Sequence, residues 1–482
     1  FTLADGVVLS FAGTAIDGGA DAAGDDDDEL NVAADAGALA VSLTASAADT
    51  GFTGTEATVF TGAGGQFAGI DTVTGSGDET LTGTTATSTW TETSYDDGTE
   101  TLAFSGVATA IGNAASDTLV GGSGVDTFTV DGAGSVTLGS QDFDGMDTLN
   151  GQGNDDVFNL NADFGGTVNG DAGDDTFNLT ASQTGLVDGG ADGANGDVIN
   201  GAATENLFIV SSSNGGTANG TTFANVENLT GGAAADEFRF AAGGSLAGSV
   251  DGAGGTDELD VAGAAAVTVT LGDSSATVLN SGAANGFSSI ETFTGNGTTD
   301  VLVATGDADT FNTTDVNDGT VAGVSYTDFA NISGGAGEDV FNLQHDVTGN
   351  VDGGDDADTF NVSAGVTIGG SIIGGDGGDD DEELVAVGGA GPNTWNVTGD
   401  DAGTLNGQAF SDVENLTGND NVDNFSLTGA LTGTASGLGG NDTFSVGDNG
   451  DAGFIDGGSG TDSLSYAAST SGVTVNMAVV DG

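Results

Sequence analysis

The chain has 482 residues, of which 90 are Gly, one is Pro and none is Cys; 74 acidic side chains face one basic one, a formal charge of −73. That charge excludes nucleic-acid binding, which needs cationic partners for phosphate, and opposes contact with an anionic membrane surface. By count 60 of the acids are Asp and 14 are Glu, a bias towards caps, turns and metal loops and away from long amphipathic helices. Self-repulsion at this charge leaves two states: a disordered polyanion, or a fold completed by bound cations. Hydrophobic residues make up 37% and Phe occurs 25 times at regular places, which favours the second. No apolar run reaches the ~18 residues of a membrane span, so direct membrane insertion is not expected. The first residue is Phe1 with no signal-like segment after it, which suggests a processed product or part of a longer protein.

In chain order, residues 1–65 carry little of the later pattern beyond an acidic run at Asp25 to Glu29; they are expected to be an irregular β segment or cap. From 66 to 390 a repeat dominates, of the form G-G-x-G-x-D-x-[F/L]-x-[V/L]. It reads GGSGVDTFTV from Gly121, GQGNDDVFNL from Gly151, GDAGDDTFNL from Gly170, GGAAADEFRF from Gly231, GGAGEDVFNL from Gly334 and GGDDADTFNV from Gly353. Residues 391–482 continue it as GNDNVDNFSL from Gly418, GGNDTFSV from Gly439 and GGSGTDSLSY from Gly457. The stretch from Gly472 to Val480 then alternates like a strand at an open β edge, which invites another chain. Two blocks, Thr84 to Tyr95 and Gly388 to Thr398, break the pattern and are read as loops, small side sheets or joints.

Start-to-start spacings are 19 for Gly151 to Gly170 and for Gly334 to Gly353, 21 for Gly353 to Gly374 and 18 for Gly439 to Gly457. A period near 20 suits a coil of two short strands and two turns. The opposite strand of each coil is read in G-x-V-x-G segments such as Gly166 to Gly170, Gly248 to Gly252 and Gly349 to Gly353. A finer spacing of nine separates Asp117 from Asp126, Asp147 from Asp156, Glu227 from Asp236 and Glu414 from Asp423. Before several of these stands Phe-x-x-[Ile/Met/Val]-[Asp/Glu], at Phe67, Phe143, Phe223, Phe287 and Phe410. The wide spacing of this signal predicts a higher-order repeat of several coils.

Chemistry follows from the spacing. Calcium takes six to eight oxygens. Glycines permit the positive φ that curls a turn and aims carbonyls at an ion, and the Asp adds charge at the end of the turn. Just after it, Phe or Leu and the Val or Leu two residues on turn inward. The expectation is an ion outside and a Phe/Val ladder inside. Asp-Gly and Asn-Gly are also ordinary turn formers, and Asn ladders self-pair without ions, so metal-free turns remain the competing reading.

These segments resemble the Gly- and Asp-rich nonapeptide repeats of RTX proteins, G-G-x-G-x-D-x-U-x with U large and apolar. The phrases VENLTGGAAADEFRF and DVENLTGNDNVDNFSL are similar to those of very large bacterial adhesins and haemagglutinin-like surface proteins. The resemblance implies an all-β parallel β-helix or β-roll solenoid, with coils of about 20 residues and calcium-type Gly/Asp turns along one edge. It implies several Ca2+ ions held by Asp117, Asp126, Asp147, Asp156, Asp175, Asp236, Asp257, Asp300, Asp309, Asp339, Asp358, Asp423, Asp442 and Asp462. Most coils carry one such turn where RTX repeats carry two. The implied protein is secreted, at the cell surface, and structural: a stalk, surface layer or filament associating end to end or laterally. The alternative is the extender of a large adhesin with cell-surface or glycan ligands. No enzyme is expected: there is no Cys nucleophile or His cluster, His345 is alone, and Arg239 is expected to pair with a carboxylate.

Overall fold

The computed structural model describes residues 2–4, 9–10, 14–17, 28–34, 39–47, 51–56, 60–61, 66–113, 116–279, 286–375, 381–470 and 472. The strand expected from Val473 to Val480 and the acidic positions 25–27 lie outside them. The described residues are all β, in large sheets of mainly parallel strands, with no helix. Contacts divide the chain into two compact units, residues 1–237 with 244–255, and residues 238–243 with 256–482.

In the first unit two series of parallel strands run side by side. Thr127–Gly132, Val157–Leu160, Thr176–Leu179, Val198–Asn200 and Asn228–Thr230 pair in succession. So do Asp117–Val120, Thr148–Asn150, Thr167–Gly173 and Leu186–Asp192. The register sets like on like: Phe158 opposite Phe177, Asn159 opposite Asn178, Leu160 opposite Leu179. Period-two alternation puts the apolar residue of each pair inside. The Phe128, Phe158 and Phe177 rings stack at 4.8 and 5.1 Å, nearly parallel and wholly buried. Each ring removed from water contributes roughly 1.5–3 kcal/mol. On the opposite strand face, Asn200, Asn178 and Asn159 hand an amide hydrogen bond along at 2.9 and 2.8 Å.

The second unit repeats the scheme. Thr310–Asp315, Val340–Leu343, Thr359–Ser363, Glu383–Val387 and Asn415–Thr417 form one parallel series. Val301–Val303, Asn331–Gly335, Val351–Gly354 and Ser371–Gly375 form another. Its aromatic stacks are Phe311, Phe341 and Phe360 at 4.8 and 5.0 Å, and Trp395, Phe425 and Phe444 at 5.4 and 4.7 Å. Arg239 meets its expected carboxylate, Asp260, at 3.0 Å.

The period is not uniform. Neighbouring turns are 19 or 22 residues apart at Asp156, Asp175 and Asp197, but 30 apart from Asp126 to Asp156. The added residues are antiparallel three-stranded meanders. Thr127–Gly132, Ser135–Leu138 and Gln141–Asp144 make one, and Leu207–Ser212, Gly215–Ala218 and Thr221–Ala224 another. The second unit has Thr310–Asp315 with Asp318–Val321 and Val324–Thr327, and Asn393–Gly399 with Ala402–Leu405 and Gln408–Ser411. Left-handed residues punctuate each: Gly134, Gly139 and Gly145; Asn214, Asn219, Gly220 and Asn225; Asn317, Ala322, Gly323 and Asp328; Asp401, Asn406, Gly407 and Asp412. All but Ala322 are types that tolerate positive φ. The Phe-x-x signal at Phe143, Phe223 and Phe410 is therefore the third strand of a meander and the return to the parallel stack. The two pattern-breaking blocks are explained in the same way. Trp90 lies in the hairpin of Ser88–Trp90 with Ser94–Asp96, and Trp395 opens the last meander.

Candidate metal centre

Each repeat turns a corner just before a strand, and there the structure places the motif Asp. The expected arrangement had these carboxylates facing an ion outside. The structure turns most of them inward: Asp117, Asp156, Asp175, Asp257, Asp300, Asp423 and Asp442 are wholly buried, and Asp236, Asp339 and Asp358 nearly so. Asp126 and Asp309 are half-buried; Asp147 and Asp462 are exposed. The reason is a backbone amide one coil away. Asp126 N donates to Asp156 Oδ1 at 2.7 Å, Asp156 N to Asp175 Oδ1 at 2.7 Å, and Asp175 N to Asp197 Oδ1 at 2.7 Å. Asp197 N continues the relay to Glu227 Oε2 at 2.9 Å. In the second unit Asp309 N, Asp339 N, Asp423 N and Asp442 N donate to Asp339, Asp358, Asp442 and Asp462 at 2.6 to 3.0 Å. Asp117 N reaches Asp147, Asn206 N reaches Asp236, Asp257 N reaches Glu291 and Val267 N reaches Asp300. The nine-residue spacing thus marks two such columns running beside each other.

The first motif glycine is fixed by this arrangement. A Cβ on Gly151 would collide with Asp156 Oδ2 and with the carbonyl of Gly170 in the next coil; Gly334 and Gly353 are hemmed in the same way by Asp339 and Asp358. In some turns the second carboxylate oxygen caps its own loop: Gly122 N donates to Asp126 at 2.6 Å, and Asn296 N, Thr305 N and Asn419 N to Asp300, Asp309 and Asp423 at 2.8 Å. Gly232 N caps Asp236 similarly. Other turns lack such a cap among the described residues. Asp156, Asp175, Asp197, Asp339, Asp358 and Asp442 each keep a buried Oδ2 without a hydrogen-bond partner.

A buried carboxylate with a bare oxygen must bind a proton or a cation. Burial pushes Asp156, Asp197 and Asp358 up to about 7, and Asp175 and Asp339 to about 6, with neighbouring acids adding to the rise. Burial raises Asp300 and Asp442 as well. The donor set around these turns is oxygen only, carboxylate and glycine carbonyl, which fits a hard cation such as calcium.

One further group stands apart from the fourteen residues named from the sequence. Asp192, Asp197 and Glu227 bring carboxylate oxygens within 4.8 Å of one another, enough to hold a metal ion. Asp197 and Glu227 are buried and Asp192 is exposed. Burial, and then the hydrogen bond to Asp192, push Glu227 up to about 8. A comparable pair, Glu382 and Glu414, lies in the second unit, where burial first and Glu382 next push Glu414 up to about 8. The sequence reading named Glu227 only for its spacing to Asp236 and passed over Asp192 and Asp197, because Asp197 ends a loop, GGADGANGD, that stretches the turn motif. The clue available was that loop's extra acid, Asp192. No protein-family model matches the chain, and no curated protein matches it.

Proposed function

We propose that this chain is a secreted structural repeat protein whose coils form a parallel β-solenoid stabilised by several calcium ions. It serves at the cell surface as a stalk, layer or filament, and self-association end to end or laterally belongs to that role. The observation that carries the reading is the column Asp126, Asp156, Asp175 and Asp197, in which three successive wholly buried acids keep an unpartnered oxygen. Charge stacked at one coil spacing is tolerated only when neutralised, and divalent ions do this for a chain of net charge −73 in near-neutral water. The solenoid part is supported by the parallel like-on-like register of Phe and Asn. The RTX-like motif supports calcium over other divalent ions.

The test is calcium removal at pH 8 and low ionic strength, followed by far-ultraviolet circular dichroism of the full chain. Loss of β signal on chelation and its return with calcium is the expected outcome. An unchanged signal after exhaustive chelation would sink the calcium role. Electron microscopy of native material addresses assembly: a periodic polymer supports the structural role, whereas single particles joined to a distinct binding domain would move the assignment to an adhesin extender.

A further inference from the structure

We infer that Asp192, Asp197 and Glu227 bind one calcium ion, at the corner where Asp197 joins the column of turn acids to two further carboxylates. The inference deepens the proposed calcium dependence and rests on it only for the identity of the ion. Its ligands come from two coils. Asp192 ends the strand Leu186–Asp192, Asp197 precedes Val198–Asn200, and Glu227 precedes Asn228–Thr230, which pairs with Val198–Asn200 in parallel. An ion here ties together positions 30 residues apart along the chain.

Three carboxylates this close are not by themselves a site. What points to a ligand is Asp197, a residue with no exposed surface whose Oδ1 receives Asp175 N and whose Oδ2 has no partner at all. Asp156 and Asp175 carry the same bare oxygen, but among the described residues only at Asp197 do two more carboxylates converge. A proton can join Asp192 to Glu227; it leaves the Asp197 oxygen unanswered. A cation answers all three.

The surroundings hold the ligands in place. Glu227 Oε2 accepts from Asp197 N, and Oε1 from Asn214 Nδ2, while Asn214 Oδ1 is itself fixed by Ala247 N at 2.8 Å. The neighbouring loop amides point elsewhere. Ala194 N, Asn195 N and Gly196 N all donate to Asp174, at 3.2, 3.0 and 2.8 Å. Such a supported, oxygen-only set suits a cation that forms long, flexible bonds. Exposed Asp192 leaves one side open to water, which completes the coordination.

The test uses the full chain with calcium as the probe. Bound calcium is counted by mass spectrometry of the dialysed protein, and amide exchange is followed over residues 190–198 and over the glycine turn at 334–343. In the wild type, calcium slows exchange in the 190–198 segment by about tenfold or more. Asp192→Asn, a surface change that leaves the buried columns intact, is expected to lose that protection and one bound ion per chain while keeping protection at 334–343. Glu227→Gln should lose the same ion. If Asp192→Asn binds as many ions as the wild type and protects the segment equally, the site is wrong although the calcium reading stands. If the segment is protected and the turns are not, the site stands and the turn ions fall. If neither is protected and no calcium is retained, both fall.

Discussion

Asn206 and Asp175 sit at equivalent corners and solve the same problem differently. Asn206 N donates to Asp236 of the next coil, as Asp175 N does to Asp197. The Asn206 side chain, however, is fully engaged: Nδ2 donates to the Ala202 and Thr204 carbonyls, and Oδ1 accepts from Ala202 N at 2.9 Å and Asn219 Nδ2 at 2.8 Å. Asn393 follows suit in the second unit, with its amide on Asp423 Oδ1 at 2.7 Å and its oxygen receiving Asn406 Nδ2. Asp175 has one bonded oxygen and one bare one. An uncharged amide therefore makes a satisfied corner by itself, and an acid in the same seat needs something more. Asn occupies the corner at the head of two of the four meanders, where the Asn219 or Asn406 side chain is at hand; Asp126 and Asp309 head the other two, and acids fill the direct 19- and 22-residue repeats.

Thermal or urea unfolding of the full chain tests this contrast. The largest effect is expected from Phe341→Asp, which puts a charge between the stacked Phe311 and Phe360 rings. Loss of the ring alone costs about 3–5 kcal/mol, so local β structure should melt in calcium and chelator alike. A stable, fully folded variant would mean that the aromatic stack is not the shared support of both kinds of corner.

Next comes the acid itself. Asp175→Ala leaves the buried Asp156 amide without its acceptor, a cost of about 1–3 kcal/mol. Asp175→Asn keeps an acceptor and removes the charge, so in chelator at pH 8 it should be at least as stable as the wild type. Greater loss from the amide than from Ala would refute the idea that charge is the liability. The reverse change, Asn206→Asp, should lower stability in chelator at pH 8 and recover it when calcium is added.

The pH dependence has a sign that depends on the ion. Without calcium, the folded values of about 7 for Asp156, Asp197 and Asp358 lie above the ordinary carboxylate range. The folded form then binds protons more tightly, so its added stability is full below about pH 4 and is lost as pH rises through 7. With calcium bound the same carboxylates are held ionised, and stability should instead fall as pH drops. Melting curves from pH 5 to 8 in chelator and in calcium should cross in slope; parallel slopes would mean that calcium does not reach these oxygens. The smallest effect is expected at Asp346, a half-buried acceptor for Thr367 N. Asp346→Asn keeps that acceptor and should shift stability by less than about 0.5 kcal/mol in either condition.

Much of the strand layout was legible in the residues alone, because alternation and like-on-like stacking are local: Phe158 and Leu160 announce an inward face without reference to any distant residue. The 19-residue period and the need for glycine at Gly151 and Gly334 were equally visible. The meanders were not, because Asn-Gly and Asp-Gly pairs such as Asn214-Gly215 and Asn219-Gly220 look like ordinary turns until their strands are seen to pair.

The direction of the acids is another matter. Whether Asp156 faces water or core depends on an amide and a carboxylate on neighbouring coils, 30 residues before it and 19 after it. The meeting of Asp192, Asp197 and Glu227 likewise requires two coils laid in register. Composition and period determined that this chain folds as β strands of repeated acid-bearing corners. Only the packing of one repeat on the next decided which carboxylates are enclosed, since hydrogen bonding and desolvation act through space and not along the sequence.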